Sequence, residues 1–174
     1  MSSDRPPARS RRLPGPLLLA LPLLLAGSAL WSSARAQTAD PGAVFEANCS
    51  MCHQLGALGV PGQFPRLAGR AGKIAATAAG RNYLEHVVLS GMIGGITVDG
   101  TPIVGGMMPS FASLSDQDLA AALDYIVSLD DAGKLHSRGA VFNAADIARA
   151  RAGQPLSPAQ VHQLRATTLG DQSP

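Results

Sequence analysis

The feature that most constrains this chain is the run at residues 49–53, Cys-Ser-Met-Cys-His. C-x-x-C-H is the attachment signature of covalently bound haem. Two thiols three positions apart can each add across one vinyl group of neighbouring pyrroles, which gives two thioether bonds. The following His53 then lies beneath the iron, where its Nε2 can bind. The motif predicts one haem c, attached through Cys49 and Cys52, with His53 as an iron ligand.

Other uses of the two cysteines agree less well with the rest of the sequence. A structural zinc site takes about four ligands, usually including two to four Cys. The remaining histidines have no ligand-pair spacing with one another, and we treat them as non-ligands: His86, His136 and His162. A thioredoxin-like dithiol stands at the start of a helix after a strand, whereas here a predicted helix precedes the motif and a loop follows. A disulfide would close too short a loop to stabilise the fold much.

The N-terminal segment 1–36 has the pattern of a secretory signal peptide. Four arginines lie in residues 1–12, residues 17–30 carry no charge, and residues 34–36 are an A-x-A-like cleavage site. A spanning helix needs about 20 apolar residues, but this apolar stretch has 14 and contains Pro22. Cleavage is therefore favoured over a membrane anchor. We expect export to the periplasm, with no membrane span in the mature form.

Cleavage changes the charge of the chain. The precursor has 14 basic and 12 acidic residues, a net charge of +2. Segment 1–36 holds five Arg and one Asp, so the mature chain has 9 basic and 11 acidic residues and a net charge of −2. Because the mature part contains no basic run, we expect neither nucleic acid nor anionic lipid as a partner.

The mature sequence indicates a mostly helical protein with much irregular chain. Capping residues and apolar residues at helical spacing predict helices at 41–48, 82–90 (capped by Asn82), 115–129, 143–152 and 157–168. The dipeptide Asp99-Gly100 between apolar runs at 96–98 and 102–104 predicts a β-hairpin. Residues 55–79, rich in Gly, Pro and Ala, predict a long ordered loop, and residues 105–109 predict irregular backbone.

Residues 41–130 resemble a class I cytochrome c, the small monohaem group with His and Met ligands. The resemblance rests on a helix with Phe45 before the haem motif and on Phe-Pro-Arg-Leu-Ala-Gly at 64–69. It rests also on Met-Met-Pro-Ser-Phe at 107–111, which leads into the helix with Tyr125.

What the resemblance implies is an all-α cytochrome c fold of short helices and long loops around one haem, with one small β-hairpin. An N-terminal helix would cross the last core helix, with Phe45 near Tyr125. We accordingly expect a signal peptide at 1–36, a cytochrome c domain at 37–132 and a helical C-terminal extension at 133–174.

The resemblance also implies the other residues of the site. The sixth iron ligand of the family is a Met in an irregular loop, often followed by Pro. Met108 matches, because Pro109 restricts it to extended backbone, and Met107 is the alternative. A Pro carbonyl a dozen residues after the motif fixes the second ring nitrogen of the ligating His; Pro65 has that position, and Leu67 would lie against the haem. The candidates for pairing with the haem propionates are arginines: Arg66, Arg70 and Arg81.

These residues predict a periplasmic monohaem c-type cytochrome that transfers single electrons, as a soluble carrier or as the cytochrome subunit of a dehydrogenase or reductase. It would be an electron-transfer protein with no catalytic residue of its own, and its partners would be redox proteins, whether dehydrogenase, reductase or oxidase. The alternative is an open-site haem enzyme such as a peroxidase. That alternative requires a vacant sixth position and polar distal groups, and Met108 argues against it.

Overall fold

The computed structural model describes residues 40–136, 139 and 141–170, so the predicted signal peptide at 1–36 lies outside the described residues. The predicted mostly helical architecture is confirmed. None of the described helices is long and apolar enough to cross a membrane. The elements follow in this order: α1 (Pro41–Asn48), α2 (Ser50–His53), a 3₁₀ turn (Leu55–Ala57), α3 (Ala71–Ile74), α4 (Ala78–Ser90), β1 (Met92–Ile93), β2 (Ile96–Val98), β3 (Thr101–Ile103), β4 (Met107–Met108), α5 (Asp116–Val127), α6 (Ala144–Ala152) and α7 (Pro158–Leu169).

Side-chain caps determine where several helices begin. At α5 the Ser115 hydroxyl accepts a hydrogen bond from the Asp118 amide at 3.1 Å. Asn143 and Ser157 start α6 and α7 with capping boxes, in which the side chain of the third helical residue bonds back to the cap. These starts agree with the prediction from sequence, since a capping residue followed by an apolar period is readable without tertiary information.

Helix α4 begins earlier than predicted. The Thr77 hydroxyl accepts a hydrogen bond from the Gly80 amide at 2.9 Å, which makes Thr77 the N-cap and the predicted cap at Asn82 wrong. The first turn contains Ala, Gly and Arg, so it shows no apolar period. The predicted loop at 55–79 is likewise wrong in part, because it contains the 3₁₀ turn and the single-turn helix α3.

The strands form two short antiparallel pairs. The predicted hairpin is present, with β2 paired to β3 around the turn at Asp99-Gly100. A second pair, β1 with β4, joins Met92 to Met108 and Ile93 to Met107. The expectation of irregular backbone at 105–109 is therefore wrong for Met107–Met108. A two-residue strand is too short to show alternation in the sequence, and it forms here because β1 lies within reach.

The core lies where α1 meets α5. The rings of Phe45 and Tyr125 pack there with centroids 5.0 Å apart, and Phe45 is 1% exposed. Helix α6 packs against α4 and α5, and α7 packs against α4 and β1. Ile147 on α6 and Val161 on α7 are buried in the same core, so both C-terminal helices pack against it. The C-terminal segment is thus packed on the helices and strands that surround the site described next.

Candidate haem site

A cavity of about 580 Å³ lies among these elements, within the volume range of cofactor pockets, about 300–1,000 Å³. Its walls come from α1, α2, α3, α4, α5, α7 and the four described strands. Most of the lining is apolar, with Leu84, Leu123 and Ile126 among the residues that face it. Its volume and apolar walls suit a large flat organic group, and the polar groups are confined to a few positions.

The C-x-x-C-H motif lines this cavity through all three of its reactive side chains. Cys49 is the N-cap of α2, and the single helical turn is closed by a hydrogen bond from the His53 amide to the Cys49 carbonyl at 2.9 Å. One turn of helix therefore places Cys49, Cys52 and His53 on a common wall. This is the arrangement that two thioether bonds and an adjacent iron ligand require.

The His53 ring is held by the backbone of the following loop. Its Nδ1 lies 2.9 Å from the carbonyl oxygen of Pro65, as the resemblance implied. A carbonyl only accepts, so Nδ1 donates, and Nε2 is left as the nitrogen able to bind a metal. Burial lowers the pKa of His53, with the Pro65 hydrogen bond opposing that effect. The neutral imidazole is the form that a metal ligand needs.

Gly59 allows this loop to approach the motif closely. Its amide donates to the His53 carbonyl at 2.8 Å, and its φ is +67°. A Cβ at Gly59 would lie 2.6 Å from the Phe64 carbonyl oxygen. Glycine is therefore required for the loop to turn back and present the carbonyl of Pro65 to His53. Leu67, from the same loop, also lines the cavity.

Strand alternation separates the two candidate methionines. Successive side chains of a strand point to opposite faces, and in β4 Met107 is 73% exposed while Met108 packs against the core. The backbone of Met108 is fixed from two sides. Its strand pairs with Met92, and a Cβ at Gly91 would collide with the Met108 carbonyl oxygen. The geometry thus directs Met108 inward and Met107 outward.

The Cys49 thiol lacks the properties of a redox-active dithiol. Burial, together with the nearby Cys52, raises the pKa of the free Cys49 thiol to about 11. Reactive cysteines have lowered pKa values, because the thiolate is the nucleophile. This electrostatic setting argues against the thioredoxin-like alternative.

The arginines named from the sequence occupy different surroundings. Arg70 is 4% exposed, lines the cavity and pairs with Asp99 at 3.3 Å. Arg66 also lines the cavity and pairs with Asp99 at 2.9 Å. Arg81 is not part of this lining and donates to the Ala75 carbonyl at 2.9 Å. Sequence reasoning missed Arg165, which reaches the cavity from α7 and follows no motif that could have identified it.

Comparison with known proteins agrees with this site. A family model for cytochrome c matches residues 39–130. One cytochrome c-552 from Thermus thermophilus is 40% identical over 139 residues, which cover 80% of this chain and 88% of that protein. A second cytochrome c-552 from Thermus thermophilus is 40% identical over 120 residues, covering 69% of this chain and 90% of the relative. The family carries haem c, and Cys49 and Cys52 have the spacing that attaches it. The resemblance seen in the sequence is confirmed: the chain belongs to the cytochrome c family, whose members bind haem c and transfer electrons.

Proposed function

We propose that this protein is a periplasmic single-electron carrier whose haem iron is held by His53 and Met108. The observation that carries the proposal is that both side chains line one cavity from separate elements, each fixed by its backbone. When bound, haem supplies an iron that gains and loses one electron. Cys49 and Cys52 would anchor it, Pro65 would orient His53, and Leu67 would cover the ring.

Two protein ligands suit electron transfer better than substrate chemistry. A thioether ligand raises the reduction potential relative to ligation by two nitrogens. The strand partner of Met108, Met92, is buried in the apolar core, and Phe111 packs against the same core. An open-site enzyme such as a peroxidase needs a vacant sixth position, and a Met108 that lines the cavity argues against one. No second function is favoured.

Electrons would enter and leave where the cavity opens. Three large apolar residues of its lining are mostly exposed: Met51 at 88%, Val104 at 86% and Met107 at 73%. Apolar side chains at this rim can exclude water when another redox protein docks, which brings the two redox centres together. The partner is a dehydrogenase, reductase or oxidase, with this chain acting as a soluble carrier or as a cytochrome subunit.

The N-terminal pattern supports the compartment and the domain boundaries. The mature chain begins at Gln37, after a signal peptide at 1–36, with the cytochrome c domain at 37–132 and the C-terminal extension at 133–174. An exported holoprotein whose mass equals residues 37–174 plus one haem would agree with both the cleavage and the single attachment site. A mass that retains residues 1–36 would contradict the soluble periplasmic form.

The ligand assignment is tested with a set of matched methionine variants. Met108→Ala should abolish the far-red sulfur-to-iron absorption band of the oxidised protein. Met107→Leu and Met92→Leu are the controls, since Met107 is exposed and Met92 packs with its Sδ 3.9 Å from the Tyr83 hydroxyl. Both controls should keep the band. A band that survives in Met108→Ala and disappears in either control would reassign the ligand.

Carbon monoxide binding separates the carrier from the open-site enzyme. The reduced native protein should bind it slowly or not at all, because Met108 occupies the sixth position. The reduced Met108→Ala protein should bind it rapidly. Rapid binding by the native protein would overturn the proposed carrier function.

A further inference from the structure

We propose that Arg151 on α6 is a positioning residue for the proposed sixth ligand: it holds residues 109–115, the segment that follows Met108, and so slows the release of Met108 from the iron. The inference deepens the proposed function and rests on it. Arg151 lies outside residues 39–130, the part matched by the family model, and outside the lining of the haem cavity. The C-terminal extension would therefore govern an event at the iron from outside the cofactor site.

The segment 109–115 has little regular structure of its own. It connects β4 to α5 as irregular backbone and turn, and most of its side chains are exposed. Near Met108 it is attached to α4, because the Phe111 amide donates to the Val88 carbonyl at 2.9 Å. Exposed irregular segments are the parts of a fold that open most readily. How easily Met108 moves therefore depends on what holds the other end of this segment.

Arg151 holds that end through all three nitrogens of its guanidinium. Nη1 donates to the Ala112 carbonyl at 2.7 Å, and Nη2 donates to the Leu114 carbonyl at 3.1 Å. Nε donates to the Asp116 carboxylate at 2.8 Å, which forms an ion pair at the first residue of α5. Charge-assisted hydrogen bonds are the stronger ones, and a planar guanidinium loses little freedom for each bond that it forms. One side chain thus joins the turn at 112–114 to the start of α5.

Helix α6, which carries Arg151, is itself fixed to the core. Arg151 follows Ile147 by four residues, so the two side chains share a face of the helix, and Ile147 is fully buried. Asn143 begins the helix with a capping box, and the helix packs against α4 and α5. A guanidinium on a fixed helix restrains the segment that it binds, whereas one on a mobile helix would move with that segment.

These contacts bear on the iron through the backbone of Met108. Strand β4 has two residues, and so short a strand pair has little stability of its own. Without the contacts of Arg151, the segment 109–115 would open more often, and β4 would open with it. The proposed effect is on how often Met108 leaves the iron and not on the strength of the iron–sulfur bond.

The alternative is that Arg151 only attaches α6 and stabilises the fold as a whole. Two variants on the same helix separate these roles. Arg149 pairs with Asp146 inside α6 at 2.6 Å and is 69% exposed, so Arg149→Ala removes the same charge from a contact within the helix. Ile147→Val weakens the packing of α6 on the core and leaves the guanidinium of Arg151 in place.

Stopped-flow binding of imidazole to the oxidised holoprotein tests the proposal. Imidazole can bind the iron only after Met108 leaves, so at saturating imidazole the loss of the far-red sulfur-to-iron band reports the rate of that release. Arg151→Ala should raise this limiting rate about tenfold, the effect of losing about one charge-assisted hydrogen bond. Arg149→Ala and Ile147→Val should stay within about twofold of the native rate. A native rate in Arg151→Ala, or an equal rise in either control, would overturn the proposal.

The same band keeps the two proposals distinguishable. Its absence from the native oxidised protein before imidazole is added would count against ligation by Met108, and so against the proposed function. If Arg151→Ala does not fold, Arg151→Lys takes its place. Its ammonium can pair with Asp116 but lacks the planar fork that reaches both carbonyls, so the limiting rate should still rise about threefold. A native rate in Arg151→Lys would then refute the proposal.

Discussion

Truncating Phe45 to Ala measures how much the crossing of α1 and α5 contributes to stability. Phe45 is 1% exposed, and its ring lies 5.0 Å from that of Tyr125 at an interplanar angle of 33°. Buried Phe→Ala changes cost about 3–5 kcal/mol, with the larger values where the surroundings cannot collapse. Phe45 also lines the haem cavity, and covalently attached haem cannot move to fill the vacated space. We therefore expect a loss of about 4 kcal/mol in the free energy of unfolding.

The assay is guanidinium unfolding of the oxidised holoprotein, followed by circular dichroism. Glu46→Ala is the control on the same helix, because Glu46 is exposed and such surface changes stay within about 0.5 kcal/mol. A double-mutant cycle with Phe45→Leu and Tyr125→Leu isolates the ring–ring part. Its coupling energy should be about 0.5–1.5 kcal/mol.

A loss in Phe45→Ala below about 1.5 kcal/mol, with an unchanged denaturant slope, would refute this reasoning. Native domains are stable by only about 5–15 kcal/mol. A loss of about 4 kcal/mol would therefore remove a large share of the stability, whereas a small loss would mean that α1 contributes little beyond delivering Cys49 to the haem.

Two other predictions concern charge. Glu85 is buried on α4, where burial, followed by repulsion from Asp146, raises the pKa of its carboxyl. The folded state then binds the Glu85 proton more tightly than the unfolded state, so protonation of Glu85 stabilises the fold. That stabilisation is present below the unfolded pKa and is lost as pH rises through the folded pKa. Glu85→Gln should stabilise the protein at about pH 7, with a gain that fades under acid conditions in thermal unfolding; a gain independent of pH would contradict this. At the cavity rim, Val104→Glu places like charges against each other when two copies meet. At about 4–8 Å in water the repulsion is about 0.5–1 kcal/mol, so electron self-exchange measured by NMR line broadening should slow about two- to sixfold at low salt and recover in high salt. Val104→Thr, the neutral control, should not slow it, and equal slowing in both variants would mean that the charge is not the cause.

The parts of the fold that could be predicted are those encoded by neighbouring residues. The caps at Ser115, Asn143 and Ser157 precede apolar positions at helical spacing, so local chemistry alone marks those starts. The early start of α4 at Thr77 could not be predicted from the sequence, because the residues of its first turn show no apolar pattern at helical spacing. Helix α3 was not predicted for a related reason. A single helical turn is stabilised by the residues it packs against and not by its own helix propensity.

The same division applies to the site. The motif and the spacing from His53 to Pro65 are features of one short segment, and the structure places these residues together. The distinction between Met107 and Met108 was drawn from the backbone restriction imposed by Pro109, whereas in the structure it also follows from the pairing of β4 with β1. Arg165 could not be predicted, because its inward direction depends on how α7 packs against distant parts of the chain.

That packing gives the C-terminal helix a place in the electron-transfer site. Helix α7 contacts β1, and β1 pairs with the strand that carries Met108. The same helix holds the neighbouring hairpin through Arg165, at the carbonyl of Thr97. One element thus contacts both the strand pair of the proposed sixth ligand and the hairpin that lines the haem cavity. Because a two-residue strand pair has little stability of its own, the position of Met108 depends on the elements packed around it, and α7 is one of them.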